Sequence, residues 1–271
     1  MKKAQAAVKR GQGLLLLTLP PSHYCERARW ALDYCGFDYL EERLAPGLHI
    51  PRVRRLGASA TCLPLLLFAD GSICQGSDRI LDWVGMIGGD SEIERKFEQQ
   101  TGPLIRHCLY AGLLSDPKSG IRDVLLRVSS RRQSAIGRLT WPLMRRLMVS
   151  GMNARLDVLP NLITRVDREL DWFDQVLHER GDYLSGFEFG RADLTAASLL
   201  APIAELQTEP IRSISEGISW PASLTPALKE WSNRPSVKWV QRTYTNYRVP
   251  SMRSPRSKET GDLANDVRFT G

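Results

Sequence analysis

The sequence contains no long apolar run. Its best, Leu14–Leu19 (LLLLTL), is six residues, far short of the roughly 20 that cross a bilayer as a helix. A membrane-spanning chain is therefore not expected. That run follows a basic stretch, MKKAQAAVKR, in the order of a secretion signal. It is shorter than the ~7–15-residue core such signals use, and the PPSHYC behind it offers no small-residue cleavage site. Residues 1–12 are expected to be a solvated, mobile tail. Cysteine is scarce and odd in number, with five: Cys25, Cys35, Cys62, Cys74 and Cys108. There is no CxxC, and no His or Cys pair has zinc-ligand spacing. The pattern predicts free thiols, a reducing compartment and no bound metal.

Acidic residues are nearly missing from one segment. Lys118–Arg155 carries nine basic residues and a single acid, Asp123. The whole chain has a net charge of +7, so the remainder is close to neutral. The basic pI belongs to that segment alone. No recognised binding motif accompanies it, and nucleic acid is not an expected partner.

A chain of 271 residues suits one large domain or two moderate ones. Gly13–Thr18 is apolar and bounded by Gly and Pro, as a buried strand would be. Ala28, Ala31, Leu32 and Cys35 then recur at helical spacing, and Gly36 stands where a C-cap glycine would end the helix. FDYLEERL alternates like a half-exposed strand. Leu63–Phe68 is another apolar run, Asp70-Gly71 marks a hairpin, and Ser72–Cys74 returns as a strand. Ser77 opens a helix that Gly88-Gly89 ends. The order β-α-β-(irregular)-β-β-α has thioredoxin-like topology.

Beyond Gly89 helical spacing dominates, over Ser91–Leu114, Ile121–Val128, Thr140–Met152, Asn161–His178, Asp193–Leu206 and Thr225–Tyr247. Asp116-Pro117, Arg180-Gly181 and Arg234-Pro235 separate or bend these stretches. The expected organisation is an α/β thioredoxin-like domain at 13–89, then an all-α helical bundle at 90–248 with an extended basic insertion at about 115–158, and a disordered tail at 249–271.

Four stretches together resemble the cytosolic glutathione transferase family over most of residues 13–248. PSHYCERARWAL looks like the entry to the first helix, where serine-type members keep a catalytic hydroxyl. Leu63-Pro64 followed by LLLFADG is similar to the family's cis-proline and hairpin. Ser77-Asp78-Arg79-Ile80 resembles the start of its third helix. GDYLSGFEFGRADLTAASLLAPI, with RPSVKWV, looks like the helical-domain signature. His49 lies fifteen residues before Pro64, as does the histidine that contacts the glycyl carboxylate of glutathione in theta-like members.

The resemblance implies a glutathione site and a role for each residue. Ser22 would stabilise the glutathione thiolate, although plain N-capping is common for serine at this position. Lowering a thiol from about 8.5 by two units takes about 2.7 kcal/mol. One hydrogen bond to a charged group contributes roughly 1.5–3 kcal/mol, and the helix N-terminus adds ~0.3–1. A single hydroxyl is sufficient. Leu63, ahead of a cis Pro64, would hold the cysteinyl backbone as an added strand. Ser77 would meet the γ-glutamyl carboxylate at a helix N-terminus.

Two positions depart from the family. Gly76 stands where an acidic residue or glutamine is usual, with Gln75 as a substitute one place away. Cys62 replaces a basic residue. Cys25 is expected to be buried packing, with an activated thiol as its alternative role. Asp193, three residues after Gly190, can cap the helix it begins.

For the basic insertion three roles compete: a solvated extra layer, contact with a membrane surface or acidic partner, and recognition of an anionic or bulky substrate. GRLTWPLMRRLMVSGM places Leu139, Leu143 and Leu147 together, with Arg145-Arg146 opposite. Tyr24, Arg106, His107 and Tyr110 are positional candidates for an electrophile pocket. The reading is a cytoplasmic, homodimeric transferase joining glutathione to a small apolar electrophile. The alternatives are a non-catalytic binding or scaffold protein, and a Cys25-dependent thiol transferase.

Overall fold

The structure, a computed structural model, describes residues 13–206 and 216–248; the tails expected at 1–12 and 249–271 lie outside the described residues. Strand β1 (Leu15–Thr18) leads through a turn into α1 (His23–Tyr34) and β2 (Leu40–Arg43). A short α2 (His49–Arg55) precedes the hairpin β3 (Leu65–Leu67) and β4 (Ile73–Gln75), and α3 (Ser77–Val84) follows. The sheet order is β2-β1-β3-β4. Strand β1 runs parallel to β2, with Leu15 opposite Leu40, and antiparallel to β3, with Leu16 opposite Leu66.

The all-leucine run is explained by position: β1 is central and both its faces are covered, so alternation between polar and apolar has no place there. Leu16 and Leu66 pack with Ala28, Leu32 and Ile80 on the side of α1 and α3. Leu17 and Leu65 pack with Leu44, Val53 and Leu63 on the side of α2. Leu16, Leu17, Leu65 and Leu66 are fully buried, and truncating one to alanine costs about 2–5 kcal/mol. Gly36, just past α1, has φ +73° and ends the helix as expected.

The irregular stretch after β2 is in part helical. HIPRVRR forms α2 despite Pro51, because the first turn of a helix has no intrahelical use for the missing N–H.

In the helical part, α4 (Ser91–Lys96) passes through one π-turn, Phe97–Thr101, into α5 (Gly102–Leu113). Then come α6 (Ile121–Leu125), α7 (Arg131–Leu139) and α8 (Trp141–Met152). The long α9 (Leu159–Arg180), α10 (Arg191–Leu200), α11 (Thr225–Trp231) and α12 (Pro235–Tyr247) complete it. The start of α7 comes from a cap that periodicity passes over: the Ser130 hydroxyl accepts from the Gln133 N–H at 3.4 Å.

Asp193 accepts from the Gly190 N–H at 2.9 Å and the Leu184 N–H at 2.7 Å, binding α10 to the preceding loop. Among the described residues no helix is long and apolar enough to cross a membrane.

Helix α1 carries the contact between the two parts. Trp30 and Ala31 share one core with α5, α9 and α10, and the Trp30 indole donates to the Tyr247 carbonyl at 3.2 Å. Beneath it, Arg248 reaches Glu26 at 2.7 Å and Asp33 at 2.8 Å, and Arg29 reaches Glu41 at 2.7 Å. Each of these buried charges has an opposite partner, as burial requires.

Candidate active site

A cavity of about 390 Å³ opens where the β1–α1 turn, the start of α2 and the Cys62-Leu63 loop face the helical part. Ser22, Tyr24, His49 and Leu63 lie on one side, and Arg106, Leu109 and Tyr110 of α5 form the next wall.

Ser22 is the N-cap of α1, and its Oγ accepts from the Cys25 N–H at 3.3 Å. Cys25 is completely buried. Its sulfur accepts from the Leu19 N–H at 3.4 Å, and burial outweighs the nearby Arg29 and the Ser22 hydrogen bond to push its pKa up. The thiol is therefore neutral at neutral pH and packs into the sheet's core.

Other titratable groups around the cavity are held neutral too. Tyr24 donates to the Glu98 carbonyl at 2.7 Å, and burial raises its pKa to about 12. Tyr110 is likewise raised to about 12, chiefly by burial. His23, buried and next to Arg106, is lowered to about 3, and its Nε2 has no hydrogen-bond partner among the described residues. Of the four positional candidates, Tyr24, Arg106 and Tyr110 line this cavity. His107 instead bonds the Asn153 carbonyl at 2.9 Å and faces a second cavity beside α9.

The residues expected to hold glutathione are only partly brought together. The Leu63–Pro64 bond is cis. Leu63 lines the cavity, and its backbone N–H and C=O enter no hydrogen bond among the described residues. His49 is the first residue of α2; its Nδ1 lies 3.4 Å from the Ala45 carbonyl, and burial lowers its pKa. It reaches the cavity as a neutral ring.

Pro64, Gln75 and Ser77 are not among the lining residues. Pro64 accepts from the Gly76 N–H at 3.0 Å. The Gln75 amide is turned back onto its own loop, donating to the Ala60 and Cys62 carbonyls at 2.8 Å each. Ser77 is buried, its Oγ accepting from Arg27 at 3.4 Å. Arg27 is itself held by Glu94 and by Glu98, the latter at 3.1 Å.

Gly76 sits at φ +102°, a conformation that favours glycine. A Cβ there would come within 2.5 Å of Asp78 Oδ1. The Asp78 carboxylate thus fills the place where a side chain at 76 would begin. The sequence places Asp78 inside the Ser77 motif without giving it a role, because only the fold shows that it curls back over Gly76.

The basic segment also contributes to the cavity. Leu147, Met148 and Met152 of α8 close it from above, with Val124 of α6 beside them. The structure sets the facing of α8, which the spacing left open, and separates Arg145 from Arg146. Trp141, Met144, Met148 and Met152 turn toward the core, and Arg145 turns inward to donate to the Leu114 carbonyl at 2.7 Å. Leu143 and Leu147 point outward. Leu114 sits at the C-cap of α5, where helices leave carbonyls without intrahelical donors, and the Arg145 guanidinium supplies one.

With this geometry in place, comparison with known proteins identifies the architecture. Residues 16–89 match the family described as glutathione S-transferase, N-terminal domain. A glutathione transferase of Phanerochaete chrysosporium superposes with a TM-score of 0.60 at 15% identity, covering 88% of this chain and 99% of its own. The chain has the glutathione transferase fold, and the match to that family's N-terminal domain covers residues 16–89. A glutathione S-transferase of Ceriporiopsis subvermispora, solved with glutathione, gives 0.58 at 14% identity over 89% of this chain and 99% of its own. A theta-class glutathione S-transferase of Xanthomonas axonopodis pv. citri, with glutathione bound, gives 0.50 at 15% over 90% and 99%. No curated protein matches the sequence. Within the glutathione transferase fold, the cavity described above lies at the meeting of the two parts, on the entry to the first helix.

Proposed function

We propose that the protein binds glutathione and transfers it to an apolar electrophile, with Ser22 stabilising the thiolate. The observation that carries this reading is the Ser22 hydroxyl: it stands on the cavity wall at the N-terminus of α1, and its oxygen already accepts from the Cys25 N–H. A neutral Cys25 thiol can direct its proton to the same oxygen. The hydroxyl proton is then left to donate to an anion in the cavity, where one such bond is worth roughly 1.5–3 kcal/mol. Tyr24, its hydroxyl committed to the Glu98 carbonyl, is not the donor.

Glutathione would extend from that point in both directions. Its cysteinyl backbone meets the unused N–H and C=O of Leu63, and its glycyl carboxylate approaches His49, whose Nδ1–H faces the Ala45 carbonyl, so that Nε2 donates once the carboxylate draws a second proton onto the ring. Its γ-glutamyl carboxylate approaches Ser77 and the N-terminus of α3. The γ-glutamyl ammonium pairs with Asp78, the group that stands in for the missing side chain at Gly76. Gln75 is assigned no contact. The electrophile occupies the apolar remainder beneath Leu147, Met148 and Met152. Two of the similar structures carry glutathione in their own sites, which supports the choice of ligand.

The Cys25-dependent alternative is disfavoured by the same geometry, since a fully buried thiol with a raised pKa is neither accessible nor ionised. Calorimetric titration with glutathione, followed by turnover of an activated aryl halide, tests the proposal. Saturable binding with conjugation that Ser22→Ala lowers at least tenfold, about 1.4 kcal/mol, is the expected result. No heat of binding, or unchanged turnover in Ser22→Ala, would end it.

A further inference from the structure

Helices α7 and α8 present an outward face that is apolar and cationic at once. Leu139 is 84% exposed, Leu143 62% and Leu147 65%. In α8, Leu143 and Leu147 lie one turn apart with the exposed Arg146 beside them, opposite the buried Met144. In α7, Ile136 and Leu139 share the outer side with exposed Arg132 and Arg138, while the inner side rests Gly137 on Leu126. The core side of both helices is already filled, so these aliphatic side chains are not waiting for the core.

Residues 124–156 contain seven arginines and no acidic residue. Arginines alone would be a solvated face, and leucines alone a generic sticky patch. Interleaved on one surface, they match a partner that is anionic and hydrocarbon-like at the same depth. The headgroup–acyl boundary of an anionic bilayer has that character.

We propose that α7 and α8 dock the protein on anionic lipid membranes. A second copy of the same face is a poorer occupant, because a two-fold interface would set like arginines against one another. Nucleic acid would engage the arginines and leave the leucines in water. Leu147 belongs both to the docking face and to the lining of the cavity, so docking turns the cavity mouth toward the lipid.

Flotation of the full chain with vesicles tests this, using phosphatidylcholine alone and phosphatidylcholine with about 30% phosphatidylserine. Binding is expected on the anionic vesicles only, weakening as salt rises above about 0.1 M. Leu139→Ser with Leu143→Ser should lower the partition constant at least tenfold, about 1.4 kcal/mol. Arg132→Gln, Arg138→Gln and Arg146→Gln together should lower it comparably and flatten the salt dependence. All five positions are exposed, and circular dichroism checks that the fold survives. Absence of binding to anionic vesicles overturns the proposal, as does binding unchanged in both variants. Dissociation of a dimer by the leucine pair with vesicle binding intact would overturn it too, assigning the face to a second copy.

Discussion

The Cys25 amide donates to Ser22 Oγ at 3.3 Å, while the Cys25 thiol lies completely buried behind it. Hydroxyl and thiol therefore have separate duties at the start of α1, one facing the cavity and one facing the core. Ser22→Ala should cost about tenfold to a hundredfold in kcat/KM for conjugation and about 1 kcal/mol of stability through the lost cap. Cys25→Ala should keep conjugation within a few-fold while lowering the urea midpoint. Steady-state kinetics with paired denaturation curves check both. Loss of activity in Cys25→Ala alone would refute the assignment of Ser22.

Asp78 fills the space over Gly76, so it should read the γ-glutamyl ammonium. Asp78→Asn is expected to weaken glutathione at least tenfold, about 1.4 kcal/mol. The same change should leave the affinity for desamino-glutathione, which lacks that ammonium, nearly unaltered. Calorimetry with the two ligands separates a charge partner from a merely structural residue, which would affect both equally.

Leu147, Met148 and Met152 of the basic segment roof the cavity, so specificity for the electrophile should reside there. Met148→Ala is expected to raise KM for a bulky apolar electrophile by about tenfold, the order that a few lost methylene contacts allow. The dissociation constant for glutathione should stay the same. A parallel rise in both constants would place Met148 in the glutathione subsite instead.

His23 is buried beside Arg106, which lowers its pKa from 6.5 to about 3. The folded state thus refuses a proton that the unfolded chain takes up. The contribution is complete above the unfolded pKa of about 6.5 and is lost as pH falls toward the folded value, by about 1.4 kcal/mol per unit. By pH 5 the loss reaches about 2 kcal/mol. Burial lowers His49 in the same direction, so the wild-type curve alone is ambiguous. Urea unfolding of His23→Gln across pH 5–7 should show a shallower decline than wild type by that amount; identical slopes would refute the assignment.

Much of the N-terminal fold was legible in the residues themselves. The leucine run of β1, the Asp70-Gly71 turn and the Ser22 cap are local signals: each depends on the few residues that make it. Helix α2 was missed because Pro51 reads as a breaker until its place in the first turn is known. For α8 the period was readable but its facing was not. With Trp141, Met144 and Met148 on faces neighbouring Leu143 and Leu147, the helix is apolar over much of its girth, and spacing does not say which part meets the core.

What the sequence by itself determined is the order of the strands and longer helices, the central buried strand, the hydroxyl at the head of α1 and the concentration of basic charge in one segment. The tertiary structure alone decided where these meet. It placed Asp78 over Gly76, turned Gln75 away from the cavity, buried Ser77 against Arg27, and laid α8 across the cavity with its leucines outward. The physical reason is range. Caps, turns and periodicity are settled within a few residues, whereas contacts such as Arg145 with Leu114, or the meeting of Leu147 and Ser22 on one cavity lining, depend on how whole elements pack.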